Sequence, residues 1–545
     1  MALTLSDIFS SWETAILPSV LAIFAGLLIF LTRFKSRKQN EPPYLPETIP
    51  YITNAYQVVL NTSKFIKRVK ASMGNKTIMK YKLGTKPVYL VRGEKNLQTF
   101  IRGSRDLDSE PFMYIAIKGL WGFTREDADK FGNDPTGRLK ISNRGTESIP
   151  ESQRYWHGIH KLYDQYLTSA EHSSALATKF LEIFNERLEQ YPLNEWTTTS
   201  VMEIMKEHMF NTANITIFGS QRLKLAPETQ RLYWIFEEYG WHFLYGMPRW
   251  MFPGAYKARD EFNYASKKYL DSAWKNFDWK GPDAESEWEP HFGSRFARES
   301  AKWLKESGFH EESQKGFFSM LLFALHGNTL ATVEWMFMYL ILDQELYRAV
   351  REEVMTAYDA EKKLDVVKLG GLSLIQAVFT ETLRLHMSFN NIREAKAPIV
   401  FDGYQIEKGA WLQTFSGIAQ REEESWGREG HPADEFWVGR HLTFREERDG
   451  TGNVRQVPEF SIAGKSGIYF PFGGGTGMCP ARHFAKQESL IALATIVARF
   501  DVEFLEWTKL DGSKSDREAR ADEKFAGAGT MPPDRDLKLR WKRLW

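Results

Sequence analysis

The stretch Phe470–Ala485 reads FPFGGGTGMCPARHFA and contains Cys479, the single cysteine of a 545-residue chain. Four of the five positions from 473 to 477 are glycine, so the backbone of this cysteine segment can approach a bulky, flat group. Apolar residues at helical spacing follow from about Ala481 to Phe500. Cys479 therefore lies beside a predicted helix N-terminus, where the helix dipole and free N–H groups favour a thiolate.

Three other roles compete with metal ligation by Cys479. A lone cysteine most often packs as a small buried hydrophobe, but the glycine run argues against that role here. A phosphate-binding loop would need a Lys-Ser or Lys-Thr ending, which the segment lacks. Nucleophilic catalysis would need a base, for which His483 is a candidate. We favour the metal ligand over the nucleophile.

The composition excludes several classes of protein. With 43% hydrophobic, 14% aromatic and 26% charged residues, the chain can bury a large core and is neither disordered nor collagen-like. Lys and Arg number 71 against 70 for Asp and Glu, so the net charge of +1 gives no broad attraction for nucleic acid. A single cysteine also excludes an intrachain disulfide and any zinc site with several thiolates.

The amino-terminal region predicts a membrane anchor. Residues 15–31 read AILPSVLAIFAGLLIFL without a charge, which is near the short limit for a helix that crosses a bilayer. Four basic residues follow within 33–38 and none precedes the apolar run, so the rest of the chain is expected on the cytoplasmic side. A cleavable signal peptide is the alternative, but its charge order would be the reverse.

Most of the remaining chain has helical periodicity. Apolar residues recur at helical spacing over 152–188, 200–217 and, most strongly, 312–358. Short β-prone runs around a Gly and Pro turn region in Tyr81–Val91 predict a hairpin. Stretches that are charged and contain Gly and Pro are typical of surface loops, and none has the length of a domain linker. We therefore predict one large, mainly α domain with small β-sheets.

The cysteine segment resembles the haem-binding loop of the cytochromes P-450. The matching residues are Phe472, Gly473, Gly475, Cys479, Arg482 and Ala485. In that family the Cys thiolate is the axial ligand of haem iron, where it favours O–O cleavage. Ala481 replaces a glycine of the pattern, and Gly477 stands where many members have an arginine that binds a haem propionate. Propionate binding is therefore expected from other residues.

The resemblance also implies a buried Glu-x-x-Arg pair, which Glu381 and Arg384 supply. Their spacing of three places both side chains on one face of a helix. Alone, such a pair is usually a solvated helix face, but the flanking apolar residues favour burial. In the family an arginine from a later loop completes a structural triad, and Arg440 is the matching residue here.

Two further segments match the family's propionate-binding positions. Arg393, nine residues beyond Arg384, lies in a strand-like region whose basic residue contacts one propionate in relatives. Trp156 and His160 resemble the Trp-x-x-x-Arg helix that holds the other, with histidine in the arginine's place. Histidine can donate one hydrogen bond there but lacks the bidentate fork of arginine. The alternative is that Trp156 is an ordinary core residue and His160 an ordinary surface residue.

The segment Phe317–Thr332 is apolar almost all round and resembles the family's oxygen-activating helix. In that alignment Asn328 takes the position of the acid and Thr329 that of the threonine. A threonine hydroxyl can organise the waters that deliver protons to oxygen. Asn328 can donate a hydrogen bond and orient water, but an amide cannot relay a proton as a carboxylate does.

Taken together, the resemblance implies a P-450 fold that follows one transmembrane helix. Together with the anchor predicted from hydropathy and charge, it divides the chain into a lumenal amino terminus (1–14), the anchor (15–32), a basic and Pro-rich linker (33–50) and a haem-thiolate catalytic domain (51–545). It implies haem b, a single-pass anchor in the endoplasmic reticulum membrane, and electrons from NADPH through NADPH–cytochrome P-450 reductase, with cytochrome b5 as a further electron donor.

The implied reaction is insertion of an oxygen atom from O₂ into a lipophilic small molecule, such as a terpenoid, steroid or polyketide-like secondary metabolite of a fungus. A redox-neutral haem-thiolate isomerase or dehydratase is the first alternative, because Asn328 stands at the acid position. A haem-binding membrane protein without enzymatic activity is the second. Turnover that depends on NADPH separates the first two, and any turnover excludes the third.

Overall fold

The computed structural model describes Gly26 and residues 41–49, 52–103, 106–244, 247–448, 454–465 and 467–545. The predicted lumenal amino terminus lies outside these residues, as do the predicted anchor, apart from Gly26, and the linker up to residue 40. The described chain is mainly helical with small sheets, as the periodicity predicted.

The helices extend along the chain from Thr53 to Arg499. In sequence order they are Thr53–Leu60, Thr62–Met73, Glu94–Arg102, Glu110–Gly119, Arg125–Gly132, Tyr155–Tyr163, Ala170–Leu188, Val201–Ile204, Asn211–Phe218, Gln221–Leu225, Thr229–Leu244, Pro253–Asn276, Arg295–Glu306, Glu311–His326, Thr329–Leu342, Gln344–Met355, Val366–Gly371, Ser373–His386, Ser416–Ala419, Glu423–Trp426 and Arg482–Arg499. Two π-helical segments, Asp164–Thr168 and Met205–Phe210, continue the helices before them.

The strands are short and form small sheets. They are β1 (Ile78–Leu83), β2 (Lys86–Val91), β3 (Leu107–Asp108), β4 (Trp196–Ser200), β5 (Trp288–Glu289), β6 (Gly293–Ser294), β7 (Met387–Ala395), β8 (Ile399–Phe401), β9 (Tyr404–Ile406), β10 (Trp411–Phe415), β11 (Leu442–Arg448), β12 (Val454–Phe460), β13 (Phe500–Thr508), β14 (Ala528–Thr530) and β15 (Asp536–Arg543). The largest sheet has the order β1-β2-β10-β7-β14, with β3 also paired to β7. A second sheet has the order β13-β15-β4.

The predicted hairpin is confirmed. Strands β1 and β2 pair antiparallel, and Leu83 lies opposite Lys86. Gly84 closes the turn with a φ of +62°, a conformation that glycine adopts without a steric penalty. The hairpin forms one edge of the sheet whose far strands, β7 and β14, contribute to the candidate site.

The apolar segment predicted as helical from 312 to 358 forms three helices, because Gly327 and Asn328 form a turn and the backbone at Asp343 is extended. Glu311–Leu342, counted as one helix, is long and apolar enough to cross a membrane, but 61% of its most apolar window is buried inside the protein. We therefore treat it as a core helix. It is the only such helix among the described residues.

The helix Arg482–Arg499, which we call the cysteine helix, lies in the centre of the largest core. From Glu488 to Arg499 every residue is buried. The cysteine helix packs against Ala170–Leu188, Thr329–Leu342 and Gln344–Met355. This packing fixes the cysteine segment, which precedes the cysteine helix, against the break at Asn328.

Candidate active site

The cysteine segment is held by its own backbone hydrogen bonds. Cys479 N–H donates to the carbonyl of Phe472 at 2.8 Å, which closes the loop on itself. Gly475 has a φ of +58° and passes so close to Ile101 that a Cβ would lie 2.3 Å from its carbonyl oxygen. Glycine is therefore needed at this position both for its conformation and for the close approach.

Two cavities meet at Cys479. One, of about 210 Å³, lies between the cysteine segment and the helices that end or begin near Asn328. The other, of about 250 Å³, extends towards Trp156 and Arg393. We call them the helix cavity and the arginine cavity. Phe389, Gly477 and Cys479 line both, so the thiol belongs to their common wall.

Burial raises the pKa of the Cys479 thiol, although the Ala481 N–H and Arg482 act in the opposite direction. The predicted effect of the helix N-terminus is thus present but is outweighed by desolvation. Because a metal cation deprotonates a coordinating thiol outright, a thiolate at this position is the form that a bound metal would select.

Two arginines define the arginine cavity. Arg393 is buried and donates to the carbonyl oxygens of Phe100 at 2.6 Å and Gly474 at 2.6 Å. Burial and the neighbouring charge of Arg138 lower the pKa of Arg393 to about 10. Its hydrogen bonds therefore fix the cysteine segment, while its charge stays beside the cavity.

Sequence reasoning missed Arg138, because it belongs to no motif. Its guanidinium lies over the ring of Trp156, 5.4 Å from the centroid. Its Nε lies 3.5 Å from a carboxylate oxygen of Glu110, and its buried Nη2 has no hydrogen-bond partner among the described residues. A buried guanidinium nitrogen without a partner at the cavity wall suits an anionic group.

Trp156 and His160 both line the arginine cavity, but each already has a partner. The indole N–H of Trp156 donates to the carbonyl of Phe131 at 2.9 Å. His160 Nδ1 lies 3.0 Å from a carboxylate oxygen of Asp164, one helical turn further on. In this arrangement His160 Nε2 is the ring nitrogen left for a ligand.

Asn328 and Thr329 line the helix cavity with Phe472 and Cys479. The side-chain oxygen of Asn328 accepts the Thr530 N–H at 2.9 Å. The hydroxyl of Thr329 faces the carboxyl group of Glu488 and acts to lower the pKa of that group. The two adjacent side chains therefore point to different neighbours, one on β14 and the other on the cysteine helix.

Glu488 is a second residue that sequence reasoning missed. It is 1% exposed and lines the helix cavity, and one of its carboxyl oxygens has no hydrogen-bond partner among the described residues. Burial raises its pKa well above the ordinary carboxyl value, and the Thr329 hydroxyl offsets only part of that effect. Glu488 is the only acidic residue of the cysteine helix and stands just before its apolar run, which was the available signal.

The residues around the two cavities fit a thiolate-ligated haem. Gly477 has no side chain, and a Cβ built on it would meet no atom nearer than the Ser109 hydroxyl at 3.8 Å. The common wall of the two cavities is therefore open at this position. The thiol stands on that wall, apolar side chains line much of the helix cavity, and the arginine cavity has two guanidinium groups. A flat, apolar macrocycle with acidic substituents requires this combination of groups.

The family model for "Cytochrome P450" matches residues 116–516. The chain belongs to the cytochrome P450 family. The chain is 38% identical over 546 residues to "Cytochrome P450 monooxygenase calL" of Penicillium decumbens, which covers 99% of this chain and 100% of that protein. It is 26% identical to "Cytochrome P450 monooxygenase fsoE" of Humicola fuscoatra, over 92% of this chain and 88% of the relative.

At 23% identity the chain also matches "Cholesterol 7-alpha-monooxygenase" of Cricetulus griseus, over 93% of this chain and 94% of the relative. The matches to named monooxygenases extend over nearly the whole chain. The protein is therefore a haem-binding monooxygenase of this family, and its similarity to the two fungal relatives places it among fungal cytochromes P450.

In this cytochrome P450 the structure brings Glu381, Arg384 and Arg440 together in the core. Arg384 contacts both carboxylate oxygens of Glu381, at 2.7 and 2.8 Å, and Arg440 Nε lies 3.0 Å from one of them. His441 Nε2 lies 2.8 Å from the other, which sequence reasoning did not predict. Burial acts to raise the pKa of Glu381, but Arg384 and His441 outweigh it and lower the pKa to about 2.

The cluster of Glu381, Arg384, Arg440 and His441 is connected to the cysteine segment through the backbone. Arg384 donates to the carbonyl oxygens of Gln420 at 2.8 Å and Ala433 at 2.7 Å. The side-chain oxygen of Gln420 in turn accepts the N–H of Phe470 at 3.3 Å, at the start of the segment. The cluster therefore acts on the position of the loop that bears Cys479.

Proposed function

We propose that this cytochrome P450 inserts one oxygen atom from O₂ into a lipophilic small molecule of fungal secondary metabolism, of the terpenoid, steroid or polyketide-like class. The observation that carries the proposal is the position of Cys479 on the wall shared by an apolar cavity and a cavity with two arginines. A thiolate ligand on haem iron supplies the electron density that favours cleavage of the O–O bond.

In this proposal the chain's own residues bind and orient the haem. Cys479 would hold the haem iron through its thiolate, and Phe472 lies beside it on the wall of the helix cavity. Arg393 and Arg138 provide positive charge for the haem carboxylates, and His160 contacts the same group from the wall of the arginine cavity. Trp156 contributes its ring, since its N–H is already bonded to Phe131.

The helix cavity is the proposed substrate side. Leu325, Leu383, Met387 and Phe389 provide apolar contact surface, and Asn328 and Thr329 are the polar groups nearest the break in the core helix. A mostly apolar pocket with a few placed polar groups suits a lipophilic ligand. The name of the Cricetulus griseus relative, a cholesterol monooxygenase, is consistent with a substrate of this kind.

The proposal includes the membrane and the redox partner. Residues 15–32 are the anchor in the endoplasmic reticulum membrane, 1–14 the lumenal end, 33–50 the linker and 51–545 the cytoplasmic catalytic domain. The basic residues after the apolar run support this orientation. Electrons come from NADPH through a separate cytochrome P-450 reductase, with cytochrome b5 as a second donor, because the sequence contains no Gly-rich dinucleotide motif after a strand.

A comparison of the host's metabolites with and without the gene tests the proposal. The accumulating compound is then given to microsomes that contain the protein, with and without NADPH. Conversion only with NADPH, with a gain of one oxygen atom, is the expected result. Conversion of an isobaric precursor without NADPH would instead establish the redox-neutral isomerase, which the amide of Asn328 at the acid position favours.

A further inference from the structure

The side chain of Asn328 is fixed by the strand β14. Its Oδ1 accepts the backbone N–H of Thr530 at 2.9 Å. Because a backbone N–H can only donate, this contact assigns the amide oxygen to the β14 side and turns Nδ2 away from the strand. Nδ2 has no hydrogen-bond partner among the described residues, and Asn328 lines the helix cavity together with Cys479.

Gly529 permits this contact. A Cβ built on Gly529 would lie 2.2 Å from Oδ1 of Asn328, and its three nearest neighbours are all atoms of the Asn328 amide. The φ of Gly529 is not positive, so glycine is required for the close approach and not for backbone conformation. Pairing of Gly529 with Ser388 of β7 keeps the strand at this distance.

The hydroxyl groups next to Asn328 have neighbours of their own. Thr332 donates to the backbone carbonyl of Asn328 at 2.7 Å. Thr329 faces the carboxyl group of Glu488 on the cysteine helix, whose pKa it lowers. The amide of Asn328 therefore offers the helix cavity an N–H donor that has no partner among the described residues.

We propose that Gly529 and Thr530 are positioning residues that hold the Asn328 amide with its N–H directed into the helix cavity, where it donates to an oxygen-containing ligand. The strand thus sets the direction of the donor. This inference rests on the proposed function, since it takes the haem held by Cys479 as the group beside which the ligand binds.

Carbon monoxide is the probe, and the infrared C–O stretch of the reduced, carbon monoxide-bound full-length protein is the measurement. A hydrogen bond to the oxygen of the bound molecule lowers the stretching frequency. We expect Asn328→Ala to raise it, and Gly529→Ala to raise it in the same direction by displacing the amide. In the Asn328→Ala background, where Ala leaves room for the added Cβ, Gly529→Ala should cause no further shift.

The matched control is Gly417→Ala. Its Cβ would lie 2.9 Å from the hydroxyl of Ser388, the strand partner of Gly529, without contact to Asn328. It should leave the stretch unchanged. An unchanged frequency in Asn328→Ala would overturn the donor role, and a shift by Gly529→Ala that persists in the double variant would overturn the positioning role.

The optical spectrum of the same samples separates this inference from the proposed function. Loss of the thiolate-type spectrum in the wild-type protein would contradict ligation by Cys479. A normal optical spectrum with no infrared response to either variant would contradict only the role of the Asn328 amide. If Asn328→Ala does not fold, Gly529→Ala alone still decides the donor role, because its predicted clash involves only the Asn328 side chain.

Discussion

At the scale of single residues, Cys479 has the most direct test. Cys479→Ser should abolish the thiolate-type spectrum of the reduced carbon monoxide complex, because a serine hydroxyl does not replace a thiolate as a soft metal ligand. Absorption spectroscopy of the full-length protein is the measurement. His483→Ala is the control, since His483 is the candidate base of the alternative nucleophile, and it should leave the spectrum intact. An unchanged spectrum in Cys479→Ser would exclude the ligand assignment.

Glu488 allows a prediction with a defined pH dependence. A folded-state pKa that is raised above the unfolded value means that folding binds a proton, so the contribution to stability falls as pH rises above about 4.3. Glu488→Gln does not titrate and should become increasingly more stable than the wild type as pH rises above that value. The free energy of unfolding in urea, measured against pH, checks this.

The matched variant Glu488→Leu removes the carboxyl group that the buried Thr329 hydroxyl faces. It should be less stable than Glu488→Gln by about 1–3 kcal/mol, the usual cost of a buried polar group without a partner. Equal stability of the Gln and Leu variants would show that the Thr329 contact contributes nothing. A pH profile parallel to that of the wild type in Glu488→Gln would show that Glu488 is not the titrating group.

At the scale of elements, the Glu381 cluster joins the helix Ser373–His386 to the loop that precedes β11. Arg384→Ala leaves a buried carboxylate with only part of its partners and should cost about 3–5 kcal/mol of unfolding free energy. The depressed pKa of Glu381 contributes stability above the unfolded value of about 4.3, and this is lost as pH falls towards 2. The variant should therefore show a weaker loss of stability in acid.

Denaturant unfolding of Arg384→Ala between neutral and acidic pH is the measurement, with haem content as a second readout. Arg348→Ala, on an exposed surface of the helix Gln344–Met355, is the control and should change little. A variant at Arg384 that keeps both its stability and its haem would contradict a structural role for the cluster.

The backbone conformation of the cysteine segment allows a further prediction at the scale of elements. Gly475→Ala should disrupt haem binding, because it combines a positive φ with a Cβ that would lie 2.3 Å from the Ile101 carbonyl oxygen. Gly512→Ala shares the positive φ, at +83°, but its Cβ would meet no atom within 4 Å. It should cost only the conformational strain, about 1–2 kcal/mol. Equal haem contents in the two variants would show that the approach to Ile101 is unimportant.

At the scale of the whole molecule, we expect the predicted anchor to hold the protein in the membrane. Removal of residues 1–32 should shift the protein from the membrane fraction to the soluble fraction while the reduced carbon monoxide spectrum is kept, because the described core lies beyond these residues. Ultracentrifugation with spectral detection measures both. If the truncated protein stays fully in the membrane fraction, residues 15–32 are not the sole membrane contact.

The sequence predictions were accurate where a structure depends on residues that are close together in the sequence. The hairpin around Gly84 and the cysteine helix follow from neighbouring residues, and their predicted positions agree with the structure. The break at Asn328 was not predicted. Its side chain accepts a hydrogen bond from Thr530, 202 positions away, and the local periodicity of the sequence cannot predict such a contact.

The sequence by itself determined the mainly α fold class, the glycine-rich loop around the single cysteine and the shared helix face of Glu381 and Arg384. Each of these depends on spacing within one segment. Only the tertiary structure placed Arg138 over Trp156, added His441 to the Glu381 cluster and turned Thr329 to Glu488 but Asn328 to β14. These contacts join residues from separate elements, so they exist only once the core has packed.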